Sequence, residues 1–77
     1  MKVIKVLGPG CPKCNDLFLL TEMVAKQMDL DCTIEKVTDI GEITSYGILL
    51  TPALVVDEEV KISGKLPNAD ELKRLLA

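Results

Sequence analysis

The chain has 77 residues, with twelve acidic and nine basic side chains for a net charge of −3, no histidine, no tryptophan, and one tyrosine and one phenylalanine. These counts exclude histidine-based catalysis, histidine-ligated zinc or haem, and an aromatic platform for nucleic-acid bases; the scattered basic residues form no stripe that could grip a phosphate backbone. The length predicts one domain, residues 1–77, burying only about 60% of the surface its unfolded chain exposes. No apolar run reaches the ~18–20 residues of a membrane span, and the apolar stretch before Gly8 is short and broken by Lys5, unlike a secretory signal. The expectation is a cytoplasmic monomer that binds neither membrane nor nucleic acid.

The elements follow closely on one another. Residues 2–7 are rich in β-branched side chains and stop at Gly8-Pro9-Gly10, which predicts a strand ending in a tight loop. Residues 12–28 predict a helix: Pro12 suits its first position, and Leu17, Leu20, Val24 and Met28 recur on one face with Phe18, Thr21 and Ala25 beside them. Residues 31–37 form a second strand whose charges suit a sheet edge. Asp39 caps a short helix carrying Ile40 and Ile43 that ends near Tyr46-Gly47. Thr51-Pro52 opens a third strand, ALVV, and the acidic run 57–59 turns the chain into a fourth, residues 60–63, closed by Gly64. Asn68 and Glu71 form a capping pair for a last helix with Leu72, Leu75 and Leu76 inside. The order is β-α-β-α-β-β-α, an α/β chain whose first unit is a parallel crossover and whose last two strands are a hairpin.

Three cysteines is an odd count for a disulfide-stapled secreted miniprotein. Cys11 and Cys14 instead bracket Pro12-Lys13 where the first strand passes into the first helix. The unsatisfied N–H groups and dipole of a helix N-terminus stabilise an anion, and they lower a thiol pKa from ~8.5 toward neutrality or below. Cys11, just outside the helix, is the expected nucleophile, and the Lys13 charge favours its thiolate. Cys14, one turn in, is more buried and less ionised, the expected resolving thiol. Pro12 stiffens the turn between them. A metal role for the pair is the alternative. A closed zinc site needs four ligands, and Cys32 is the one thiol left over; a soft-metal carrier using the same two thiolates for copper or zinc stays open. Cofactors other than the dithiol and resident metals are not expected.

The chain resembles the thioredoxin superfamily. Cys11-Pro12-Lys13-Cys14, Tyr46-Gly47-Ile48, Thr51-Pro52-Ala53-Leu54, Val60, Gly64 and Leu72-Lys73 with Leu76 carry the likeness, which spans nearly the whole chain apart from the extra N-terminal strand and helix of full-length thioredoxin. In size it is most similar to small thioredoxin- or glutaredoxin-like redox-active disulfide proteins of archaea and bacteria. The resemblance implies a minimal thioredoxin-like fold: a four-stranded mixed sheet in the order 2-1-3-4 with helices on both faces. It also implies a cis bond before Pro52 opposite the dithiol, and a Thr51 backbone that pairs with an extended substrate segment. The implied activity is thiol–disulfide exchange: a small electron carrier that reduces protein disulfides through a Cys11–Cys14 dithiol and is recharged by an upstream reductase or a low-molecular-weight thiol. Copper chaperones share the C-x-x-C placement but run β-α-β-β-α-β. Three departures from the pattern stand out. Pro-Lys replaces thioredoxin's Gly-Pro and is closer to glutaredoxins. Lys5 stands where thioredoxin carries a buried Asp, six residues before the nucleophile. A single Gly64 replaces the Gly-Gly of a glutathione site.

The remaining residues read as structure. Cys32 is expected to be buried, Met23 and Met28 to fill core, Tyr46 to pack, the acidic turn to be solvated, and Lys5 to point to solvent, since lysine is seldom buried.

Overall fold

The computed structural model describes residues 2–10, 12–48 and 50–77. The elements are β1 (Lys2–Leu7), α1 (Pro12–Gln27), β2 (Cys32–Val37), α2 (Ile40–Ser45), β3 (Ala53–Val56), β4 (Glu59–Ser63) and α3 (Ala69–Leu76). The four strands form one sheet in the order β2-β1-β3-β4. β1 pairs in parallel with β2 and antiparallel with β3, and β3 pairs antiparallel with β4. This is the minimal thioredoxin-like arrangement expected above, and its element order is not that of a copper chaperone.

Strand alternation sorts the core into two layers. Ile4 and Val6 of β1 and Leu54 and Val56 of β3 point to one face, where they meet Leu17 and Val24 of α1, Leu72 and Leu76 of α3, and Ile62. Leu7, Ala53 and Val55 point to the other, where they meet Ile43 of α2, Val37 and Ile48. β3 lies between two covered faces, which is why all four of its residues are apolar and buried. The helices begin where local chemistry starts them. The Asp39 carboxylate accepts the Gly41 N–H at 3.0 Å, and the Asn68 side-chain oxygen accepts the Glu71 N–H at 2.8 Å. Glu71 does not return the capping bond; its carboxylate takes Lys65 Nζ at 2.9 Å instead.

The acidic turn is tighter than the sequence suggests. Val56 pairs with Glu59, leaving a two-residue turn of Asp57 (φ 49°) and Glu58 (φ 67°). Both residues sit in the left-handed region that a hairpin of this length requires, without the usual glycine. β4 therefore begins at Glu59 rather than 60. The Asp57 side chain also reaches β1, where it accepts the Val3 N–H at 2.9 Å while the Asp57 N–H donates to Val3 O at 2.8 Å.

One expectation about packing is corrected. Met23 is 57% exposed: the buried stripe of α1 runs through Cys14, Leu17, Thr21, Val24 and Ala25, and Met23 projects from the solvent side. Ile40 is also exposed, because α2 is six residues long and turns only Ile43 onto the sheet. In a chain this small each large core side chain carries a sizeable share of the stability. Leu72→Ala, at a position with no solvent exposure, is expected to cost about 2–5 kcal/mol, read as a lower midpoint in urea unfolding, whereas Met23→Ala should leave the midpoint nearly unchanged.

Candidate functional site

β1 ends at Leu7, which is paired on one side with Val37 of β2 and on the other with Ala53 of β3. Because the β1–β3 pair is antiparallel, the end of β1 lies beside the start of β3. The loop from Gly8 into α1 and the segment that delivers Pro52 therefore emerge at the same end of the sheet, although some 40 residues separate them in sequence.

On the β1 side, Pro12 opens α1, with Lys13 beside it in solvent and no acidic residue in the first turn to oppose the helix dipole. Cys14, in that first turn, is 1% exposed and belongs to the buried stripe of the helix. It is disulfide-bonded. Cys11, the expected nucleophile, lies outside the described residues. Gly8 packs against Cys14 so closely that a Cβ on residue 8 would overlap Cys14 Sγ and stand 2.7 Å from Cys14 Cβ. On the β3 side, Thr51 is half-buried, Pro52 is buried, and the peptide between them is cis. Gly64 N–H donates to Pro52 O at 2.8 Å, and Ser63 Oγ donates to Leu50 O at 3.3 Å, so the end of β4 braces this loop. Gly64 has φ +74° and lies under the exposed Leu50, whose Cβ would be 2.7 Å from a side chain there. The sheet thus brings Gly8, Pro12, Lys13, Cys14, Thr51, Pro52 and Gly64 to one end.

Cys32 is a free thiol, half-buried and packed against the larger core layer, so it is less enclosed than expected. Gly8 reads from the sequence as one of two loop glycines, and nothing in the chain marks it as the one against a sulfur. Lys5 does not point freely to solvent. Its ammonium donates to Tyr46 Oη at 2.8 Å and to Glu58 Oε1 at 3.2 Å, with the side chain 22% exposed. Tyr46 Oη in turn donates to Glu58 Oε2 at 3.3 Å. Lysine fits here because its apolar stem lies along the sheet while the head group meets two acceptors at the rim. Tyr46 therefore anchors a charge as well as packing. The acidic turn is not merely solvated.

A family profile described as a thioredoxin domain matches residues 2–77. Two curated relatives carry the name thioredoxin. One, from Methanocaldococcus jannaschii, is 36% identical over 76 residues, covering 99% of this chain and 87% of its own length. The other, from Methanothermobacter thermautotrophicus, is 31% identical over 77 residues, covering both chains completely.

The Lys5 cluster has a pH signature. The Tyr46 hydroxyl first, and then the Glu58 carboxylate, hold the Lys5 ammonium above its usual value of 10.5. A raised lysine contributes stability that is fully present below the unfolded-state pKa and is lost as pH climbs through the folded-state value. Lys5→Met should therefore lower the thermal midpoint by an amount that is constant from neutral pH up to about 10.5 and shrinks above it. A difference that stays constant into strong alkali would show that the ammonium contributes nothing.

Proposed function

As the chain belongs to the thioredoxin family, we propose that it is a thiol–disulfide oxidoreductase that reduces disulfides of protein substrates through Cys11 and Cys14. The observation that carries this reading is the disulfide-bonded Cys14, buried in the first turn of α1 at the sheet end shared with Pro52. We assign Cys11, at the other end of the C-x-x-C motif, as its redox partner, Cys32 being a free thiol.

The proposed reaction runs in two displacements. The Cys11 thiolate, favoured by the helix N-terminus and by Lys13, attacks one sulfur of the substrate disulfide. A mixed disulfide forms, and the other substrate sulfur leaves as a thiolate that takes a proton from solvent. Cys14 then gives up its proton and attacks Cys11 Sγ. The mixed disulfide breaks, the second substrate sulfur leaves and is protonated, and the protein retains the two-electron oxidised pair. Thiolate character is needed at the entry sulfur, and burial keeps the second sulfur out of side reactions. Thr51 supplies backbone polar groups for an extended substrate segment beside Pro52. The oxidised form is recharged by an upstream reductase or a low-molecular-weight thiol. The reading is of a monomer at work in a reducing cytoplasm, where a dithiol is kept ready for use.

The decisive experiment is turnover of a disulfide-containing protein with a dithiol reductant. Cys11→Ser is expected to abolish catalysis, and Cys14→Ser to accumulate a covalent mixed disulfide visible by non-reducing electrophoresis and mass spectrometry. Turnover by Cys11→Ser equal to that of the parent chain would overturn the assignment, and tight stoichiometric binding of Cu(I) without turnover would transfer the two thiols to metal carriage. The part assigned to Lys13 has its own readout. Lys13→Glu should move the pH dependence of Cys11 alkylation by iodoacetamide to higher pH, and an unmoved profile removes Lys13 from the mechanism.

A further inference from the structure

We propose that Gly8 is a positioning residue for the resolving sulfur: its missing side chain is the space into which Cys14 Sγ sinks, and it thereby sets the balance between the disulfide and dithiol forms. The proposal rests on the redox reading above.

Glycine is kept in proteins for two different reasons, conformation and room. Gly10 and Gly47 have φ of +95° and +76° with nothing within 4 Å of where a Cβ would stand, so they serve the chain's path. Gly8 is the opposite case. Its φ is outside the left-handed region, and its Cβ position is already filled by Cys14. Any residue could adopt this backbone, yet none with a side chain fits while Cys14 stays where it is.

The backbone at Gly8 cannot easily withdraw. Its N–H donates to Val37 O at 2.9 Å, and the preceding residue is held in register by Val37 and Ala53 on either side. The movable party is the Cys14 side chain. A methyl group on residue 8 would push Sγ out of its pocket toward solvent, where Cys14 is now 1% exposed. The two redox forms do not tolerate that push equally. In the disulfide, Sγ is fixed by a covalent bond of strict geometry, whereas a thiol can rotate about χ1 and relieve the overlap at Sγ; the contact with Cys14 Cβ, which χ1 does not move, weighs on both forms alike. Gly8→Ala should therefore penalise the oxidised form more than the reduced form. The thiol that rotates away also becomes more accessible.

The test equilibrates the parent chain and Gly8→Ala with mixtures of reduced and oxidised glutathione and measures the oxidised fraction. At least a tenfold shift of the exchange constant toward the dithiol is expected, about 30 mV for a two-electron couple. Reduced Cys14 should also alkylate at least tenfold faster when Gly8→Ala is placed in a Cys11→Ser background. A folded Gly8→Ala protein with an unchanged exchange constant overturns the proposal. Should Gly8→Ala fail to fold, the double variants Gly8→Ala/Cys14→Ala and Gly8→Ala/Cys14→Gly decide. Recovery of a cooperative transition with the first assigns the clash to the sulfur and upholds the proposal; recovery only with the second assigns it to Cys14 Cβ, and recovery with neither assigns Gly8 to the strand, and either result overturns the proposal. If the parent chain shows no interconversion of disulfide and dithiol, the redox reading falls, and with it the proposed effect on redox balance. The unfolding cycle across residues 8 and 14 would still report whether the contact exists.

Discussion

The position of β1 in the sheet governs everything at the functional end of the molecule. β1 is central, and Leu7 at its end is held simultaneously by parallel pairing to Val37 and antiparallel pairing to Ala53. The parallel partner returns through α1, so a helix must start just beyond Leu7. The antiparallel partner begins just after Pro52. One strand end is therefore flanked by a helix N-terminus and by a buried proline. The hydrogen-bonded register holds that juxtaposition and keeps Cys14 at one edge of a rigid frame, a more exact support than a free loop could provide.

The two faces of the sheet divide the work unequally. The face under α1 and α3 holds the larger apolar layer, with Ile4, Leu17, Leu54, Leu72 and Leu76 at its centre. The opposite face is covered by the single short α2, and its apolar layer is smaller. There the charged cluster of Lys5, Tyr46 and Glu58 takes over where hydrocarbon runs out. A carboxylate at position 5, as in full-length thioredoxin, would meet Glu58 across the rim and be repelled. Lysine suits this face, where its ammonium meets Tyr46 and Glu58.

Much of this architecture is legible in the sequence because its local signals agree. Gly8-Pro9-Gly10 closes β1, the unbroken ALVV run marks a strand covered on both sides, Asp39 and Asn68 cap the helices they precede, and the strand order follows the thioredoxin likeness. The depth of Cys14 follows from its place one turn into α1. What stays hidden depends on partners distant in the chain. Lys5 meets Tyr46 and Glu58 across 41 and 53 residues, and no local pattern announces either. A glycine kept for its φ and one kept for room are the same letter, so Gly8 and Gly10 look alike until the helix is laid against the strand. Helical periodicity also overstates burial on one side of α1, since it cannot tell which of two adjacent apolar rows faces the sheet; Met23 belongs to the outer one.

The hairpin turn carries a last consequence. Asp57 and Glu58 occupy backbone conformations that glycine or asparagine would adopt at lower cost. Their side chains are nevertheless what fasten the tip of the hairpin to β1, through Val3 and Lys5. The tip works as a clasp that joins the first and last thirds of the chain. Replacing it with an ideal Asn-Gly corner would relax the local bend and keep an acceptor for the Val3 N–H, but it would remove the Glu58 carboxylate and so unfasten the clasp at Lys5. An engineer seeking a hardier scaffold would gain more by leaving this awkward corner alone.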